Sequence, residues 1–201
     1  MNRSFKSWAL IVTGVACVGK TSFGSRLAEH LKLEFIDIPR FIEEMKLYEY
    51  FDEDSKEYVV DLRRLSNCLG SFIRGKQSVI ASIYPIKPRN ISIKLVLVLR
   101  LRPDELMKRL LERGYPEWKI AENISAEIID KPLHEAIVKY GRRKVVQLDV
   151  TGKDLERLSR DVSLAISSMN IRDLHTDVDW ISELEKTDYL TEILQFLAKI
   201  K

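Results

Sequence analysis

Cysteine is scarce in this chain of 201 residues: there are two, Cys17 and Cys68. They lie far apart with no metal-type spacing, and they read as the reduced thiols of an intracellular, cytoplasmic protein. Histidine is nearly as rare, and the three residues His30, His134 and His175 do not cluster. None is therefore assigned to catalysis. Net charge is small, +3 from 33 basic and 30 acidic side chains. A balance that even does not mark a nucleic-acid binder, and the short basic run Arg142-Arg143-Lys144 reads as a solvated loop. No stretch is long enough and apolar enough to span a membrane. The segment MNRSFKSWALIVTG is basic and then apolar, as secretory signals are. Its apolar run is short and leads straight into a glycine loop, so a core strand explains it better. There is no internal repeat and no low-complexity stretch. The acids of FDEDSKE at 51–57 lack the spacing of a calcium loop and read as a solvated face.

What is present is a globular composition, 45% hydrophobic and 31% charged, in a length that suits a single domain with a sizeable core. WALIVTG at 8–14 is a compact apolar run that reads as a buried parallel strand. Phe23, Leu27 and Leu31 then recur at helical spacing. Further strands are expected at 33–38, 78–83, 94–99 and 144–150, and helices at 39–50, around 62–72, from Pro103 to a stop at Gly114, at 118–140 and at 155–169. Pro132 must kink or split the helix at 118–140. Strands alternating with helices imply an α/β fold with a parallel sheet and right-handed crossovers. Composition shifts after Asn170: a linker precedes an amphipathic helix at 181–200, striped by Leu184, Leu190, Ile193, Leu194 and Leu197. That stripe fits packing on its own domain and docking of a partner or second copy equally well.

The most informative stretch is VTGVACVGKTSF at 12–23. Gly14, four residues, then Gly19-Lys20-Thr21 is the spacing of a loop that cradles phosphates. Successive backbone N–H groups donate to phosphate oxygens, and the following helix N-terminus adds its dipole. Lys20 would reach the β- and γ-phosphates of ATP, and the Thr21 hydroxyl would ligate Mg²⁺. Gly14 makes the turn, and Gly19 permits close approach. Cys17 keeps its N–H, so it does not spoil the loop. A left-handed backbone there would strain it by about 1–2 kcal/mol.

Two further blocks accompany TGVACVGKTSF: FIDIPRFIEEMKLYEYFDEDSKEYVVD at 35–61 and LVLVLRLRPDELMKRLLERGYPEWKIAENISAEI at 95–128. On these blocks the chain resembles, over roughly 8–166, the adenylate kinase family of archaea and eukaryotic nuclei that is tied to small-ribosomal-subunit maturation. The RGY step, with NI and EI along the next helix, is the most specific part. The TGK at 151–153 looks like that family's base-side loop.

The resemblance implies a three-layer P-loop nucleoside monophosphate kinase fold at 1–169, with a five-stranded parallel sheet, and a helical extension at 170–201. It implies a monophosphate-binding segment at about 37–60 and a lid at about 112–122. The cofactors would be ATP and Mg²⁺, and the substrates ATP and a nucleoside monophosphate. A nucleotide set of Gly14, Cys17, Gly19, Lys20, Thr21, Ser22 and Arg113 follows, with Lys20 and Arg113 catalytic and Thr21 on the metal. Arg113, in the RGY step, matches a lid arginine that reaches the phosphates, and Arg109 one turn earlier reads as a solvated position. A small-subunit ribosomal protein or the pre-ribosomal particle would be the partner.

The chain also departs from that pattern. Similar proteins end their third strand on an aspartate closely followed by a histidine, and here Ala81 and Ile83 stand in those places. Ser82 can hold a water but brings no charge. Asp37 is available as a substitute acid, although a plain strand-end acid is the simpler reading. Arg40 reverses the charge of an aspartate beside the acceptor site. The expectation is a nucleoside monophosphate kinase-like protein that binds ATP and transfers its γ-phosphoryl group to AMP or another monophosphate, or hydrolyses ATP, with impaired turnover. A nucleotide-gated assembly factor is the alternative.

Overall fold

A computed structural model describes residues 7–54 and 57–199. In chain order the elements are β1 Trp8–Thr13, α1 Lys20–Leu31, β2 Glu34–Asp37, α2 Ile38–Glu44, β3 Tyr48–Asp52, β4 Glu57–Val60, α3 Leu62–Phe72, β5 Gln77–Ala81 and β6 Ser92–Arg100. There follow α4 Pro103–Glu112, α5 Glu117–Ile128, α6 Lys131–Tyr140, β7 Val145–Asp149, α7 Leu155–Ser167, α8 Trp180–Glu185 and α9 Tyr189–Lys199, with short 3-10 turns at Arg142–Lys144 and Ile171–Leu174.

Five strands form one sheet in the order β2-β5-β1-β6-β7, and every neighbouring pair is parallel. Strand β1 lies in the middle, which is why its run is apolar on both faces. Its Leu10 and Val12 enter a core closed by Phe23 and Leu27 of α1, Ile120 and Ile124 of α5 and Val162 of α7. Its Ala9 and Ile11 enter a second core with Phe41 of α2, Leu65 and Leu69 of α3 and Tyr140 of α6. Helices thus cover both faces, giving the three-layer α/β arrangement that strand–helix alternation implied.

Two expectations need correction. The helix expected at 39–50 stops at Glu44, and β3 pairs antiparallel with β4 as a separate hairpin. Lys46 takes a left-handed φ of 51°, which turns the chain out of the helix. The acidic run at 51–57 spans the end of β3 and the turn into β4, and its residues 55–56 lie outside the described residues. The helix expected at 181–200 is two, α8 and α9. Their Trp180, Leu184 and Ile193 are buried in the first core, and Leu190 and Leu197 pack against it, while Leu194 stays exposed. The stripe therefore packs on its own domain. Pro132 splits rather than kinks: Asp130 turns at φ 58°, and the proline falls in the first turn of α6, where no N–H is missed.

The extension is fastened by a buried polar cluster. Arg100, at the end of β6, is wholly buried, as is Glu127 of α5. The Arg100 Nε donates to Glu127 Oε1 at 2.7 Å, its Nη1 to Gln147 at 2.6 Å, and its Nη2 to the Glu127 carbonyl at 2.7 Å and Asp130 at 2.6 Å. The Trp180 indole N–H and the Leu101 amide donate to the same Glu127 oxygen, at 2.8 and 3.2 Å. Burial pushes the Glu127 carboxyl up, and Arg100, Trp180 and Leu101 pull against it. Breaking a buried pair leaves an uncompensated charge and costs about 3–5 kcal/mol. Glu127→Gln should lower the urea midpoint to match about 3 kcal/mol. Trp180→Phe, which keeps the ring and loses the N–H, should cost about 2 kcal/mol in the same titration.

Candidate functional site

The loop at 14–19 leaves the C-terminal end of β1 and opens α1. Gly14 is required twice over: its φ is 144°, and a Cβ there would sit 2.6 Å from the Leu99 carbonyl oxygen. Gly19, at φ 105°, is the N-cap of α1. The first-turn amides of α1, at Lys20, Thr21 and Ser22, have no acceptor further back in the helix, and Phe23 is the first to find one, the Gly19 carbonyl at 2.9 Å. Those donors open beside a cavity of about 170 Å³ lined by Ala16, Cys17, Gly19, Lys20, Thr21, Ser22, Asp37, Pro39, Ala81, Ser82, Ile83, Arg113 and Tyr115. The sequence-derived set comes together here except for Gly14, which makes the turn at the loop's start and lines the neighbouring cavity instead.

Electrostatics suit an anion. The Lys20 Nζ donates to the Val15 carbonyl at 2.6 Å, and burial pushes its pKa down to about 8, with Cys17 and Asp37 offsetting part of the fall. Arg113, just past α4, lines the same cavity as Cys17, and its charge acts on the thiol. Burial pushes the Cys17 thiol up, against the pull of Arg113 and Lys20. Cys17 does adopt the left-handed conformation, at φ 60°, and carries the strain of a Cβ there. Arg109 is not simply solvated: its Nη1 reaches the Cys17 carbonyl at 3.5 Å, and it pairs with Glu105 one turn away.

Thr21 is placed for a hard cation, with its hydroxyl at the cavity wall, donating to Asp37 at 3.0 Å. Hydroxyl and carboxylate oxygens are the donors that Mg²⁺ accepts, so these residues fit the ion that accompanies a nucleotide. Ala81 and Ile83 also line the cavity and supply no charge. Arg40 does not face it; that side chain is exposed and pairs with Glu44 along α2.

A neighbouring cavity of about 150 Å³ lies against Gly14, Val15, Ile83 and Tyr84, with Lys119, Asn123 and Glu122 of α5 opposite. Lys119 is 7% exposed. It pairs with Glu57 of the hairpin at 3.0 Å and Glu122 at 2.8 Å, and the Tyr84 hydroxyl donates to Glu57 at 2.9 Å. Burial alone would depress Lys119; its hydrogen bonds to Glu122 and Glu57 outweigh that and raise it. Asn123 accepts the Ala16 amide of the loop at 3.0 Å and returns its own N–H to the Lys119 carbonyl at 2.8 Å.

Reading by residue type missed Lys119, Asn123 and Tyr84. A signal existed for two of them: Lys119, Asn123 and Glu127 repeat at i, i+4 and i+8, one position ahead of Ile120, Ile124 and Ile128. A polar row beside an apolar row on one helix face marks buried polar work. Elsewhere, Thr151 of the TGK turn accepts the Arg102 amide at 2.9 Å. His30 meets Glu156 at 3.1 Å, and the His175 ring accepts the Gln147 amide at 3.1 Å, both away from the cavity.

Comparison with known proteins follows this geometry. The sequence pattern of the AAA domain family matches residues 10–130. A protein of Methanocaldococcus jannaschii named "Putative adenylate kinase" is 32% identical over 182 residues, covering 90% of this chain and 97% of that one. A namesake from Saccharolobus islandicus is 30% identical over 189 residues, covering 94% and 96%. Among solved structures, a gluconokinase from Sinorhizobium meliloti superposes with a TM-score of 0.52 at 17% identity, covering 84% of this chain and 95% of its own. A shikimate kinase from Acinetobacter baumannii gives 0.51 at 20%, covering 85% and 97%. These two establish the fold.

Asn123→Ala should leave the buried Ala16 amide without its acceptor, at a cost of about 1–3 kcal/mol. The check is native-state hydrogen exchange: exchange at Ala16 should quicken by more than at core amides such as those of β1.

Proposed function

The chain belongs to the AAA domain family, and to the family of these archaeal relatives, and from that premise we propose that it binds ATP with Mg²⁺ and transfers the γ-phosphoryl group to a nucleoside monophosphate. The observation that carries the reading is one cavity walled by free first-turn amides, Lys20 and Arg113. Phosphoryl transfer asks the protein for positioning and for positive charge around the transferred group, with little covalent chemistry. The amides of residues 19–22 orient the phosphate chain. Lys20 would meet the γ-phosphate from the loop, and Arg113, from just past α4, would spread charge over it. Mg²⁺, when bound with the nucleotide, neutralises charge on the phosphates, and Thr21 would hold it.

The acceptor enters from the second cavity. Val15 lines that cavity, and its carbonyl holds the Lys20 Nζ that borders the first one, which supports a transfer between the two. Contact of Glu57 with Lys119 and Tyr84 brings the hairpin over that space and keeps water from the reacting oxygens. The hairpin is the monophosphate-binding segment in this reading, and the residues around Arg113 and Tyr115 are the lid.

One observation favours a second reading. Ala81 leaves the end of β5 without an acid, which suits a nucleotide-gated assembly factor that cycles slowly, working in the cytoplasm with a small-subunit ribosomal protein or the pre-ribosomal particle. A coupled assay of ADP formation from ATP and AMP separates the two. The kinase reading expects turnover that Lys20→Ala abolishes. Tight ATP binding without turnover selects the assembly factor, and no ATP binding at all removes both.

Lys20 also gives a pH signature. With its pKa pushed down to about 8, it is charged below that pH and neutral above it. Bound phosphates hold the proton on, so ATP binding takes up protons near pH 8. Between pH 7 and pH 9 the affinity for ATP should fall about tenfold. Calorimetry in two buffers of different ionisation enthalpy should register the uptake, and Lys20→Met should flatten both.

A further inference from the structure

Asp37 stands at the end of β2, in the position of N-cap to α2. An aspartate there ordinarily accepts an amide from the first turn of its own helix. Asp37 makes no such bond. The amide it would most readily take is partly missing, because Pro39 lies in that turn and has no N–H. The carboxylate is turned instead across the cavity floor to the Thr21 hydroxyl, 3.0 Å away.

Two further facts give that bond a direction. A carboxylate only accepts, so the Thr21 proton points at Asp37 and the lone pairs of the same oxygen are left for a cation. Asp37 is also the sole carboxylate among the residues that line the cavity. The place that an acid would be sought from the resemblance, Ala81, is its partner across the strand pair: Asp37 and Ala81 are opposed in the β2–β5 register. Neighbouring strands are about 4.8 Å apart, so the acid has moved by one strand spacing while staying at the same edge of the sheet.

We propose that Asp37 is the carboxylate that organises the nucleotide's Mg²⁺ together with Thr21, taking over at the end of β2 the place that Ala81 leaves without charge at the end of β5. The inference rests on the ATP-binding reading above and deepens it. It also separates the missing acid at Ala81 from any loss of metal, since the sheet edge keeps one carboxylate beside the hydroxyl.

The test reads metal dependence of binding rather than activity. ATP is titrated calorimetrically with excess Mg²⁺ and again with EDTA, into the wild type, Asp37→Asn and Asp37→Asn/Ala81→Asp. The wild type should bind more tightly with Mg²⁺. In Asp37→Asn that advantage should shrink by about 10- to 100-fold. Its affinity in EDTA should hold or rise, because a negative charge beside the phosphates is gone, and this arm also certifies an intact loop. The double variant should regain metal dependence. With Mn²⁺ as the probe, the electron paramagnetic resonance of the free ion should show less Mn²⁺ bound in the presence of ATP for Asp37→Asn than for the wild type. An Asp37→Asn protein that keeps the full Mg²⁺ advantage overturns the assignment and leaves ATP binding untouched. A wild type that binds no ATP in either buffer overturns the ATP reading and this assignment together.

Discussion

The ion pair between Arg100 and Glu127 fixes helix α5, and α5 in turn fixes both sides of the site. Glu127 holds the helix to the end of β6, to Leu101 and, through Trp180, to the C-terminal extension. One turn back, Asn123 holds the loop at Ala16; one more turn back, Lys119 holds the hairpin at Glu57. The three residues share a face because they are spaced by four. A single helix thus converts one buried charge pair into the placement of loop and hairpin. The extension serves this arrangement by closing the core over Glu127, where Trp180 and Leu184 are buried.

Charge in the loop cavity is uneven by design of the backbone. Lys20, Arg113 and the free amides of α1 all present positive ends, and Asp37 answers them from the sheet edge. Burial holds Lys20 near the point of losing its proton, so the empty site carries less positive charge than the residue types suggest. An arriving phosphate restores it. Arg113 lines the same cavity, and its guanidinium is the kind of donor that a phosphate oxygen pairs with best.

Much of the sheet was legible because each strand is a short apolar run bounded by turn residues, and the loop because its glycines and lysine are fixed by steric and charge requirements that few other sequences meet. The hairpin was not legible. Phe41, Ile42, Met45 and Leu47 continue a helical period into it, and the turn that ends α2 uses Lys46 in a left-handed conformation instead of a glycine. Nothing in the residue type announces that. The break between α8 and α9 is similarly quiet, with the Thr187 hydroxyl folding back on the Leu184 carbonyl. The partnership of Trp180 with Glu127 spans 53 residues and has no local signature. Asp37 was visible as an acid at a strand end; its turn toward Thr21 rather than its own helix was a matter of tertiary geometry.

Helix α5 carries two kinds of ion pair, one sealed from water and one that water reaches. Arg100 and Glu127 are both fully buried, and separating them costs about 3–5 kcal/mol, a large share of a small domain's stability. Glu57 keeps 31% of its side-chain surface in water, so its pair with the buried Lys119 is screened more than the sealed Arg100–Glu127 pair. When Glu57 leaves, Lys119 also retains Glu122 at 2.8 Å, so its charge is never stranded. The hairpin is held besides by the Tyr84 hydroxyl on Glu57 and by Tyr58 and Val60 against the second core. The loop is thus fixed through the fully buried pair, and the hairpin is joined to α5 through the pair that water reaches.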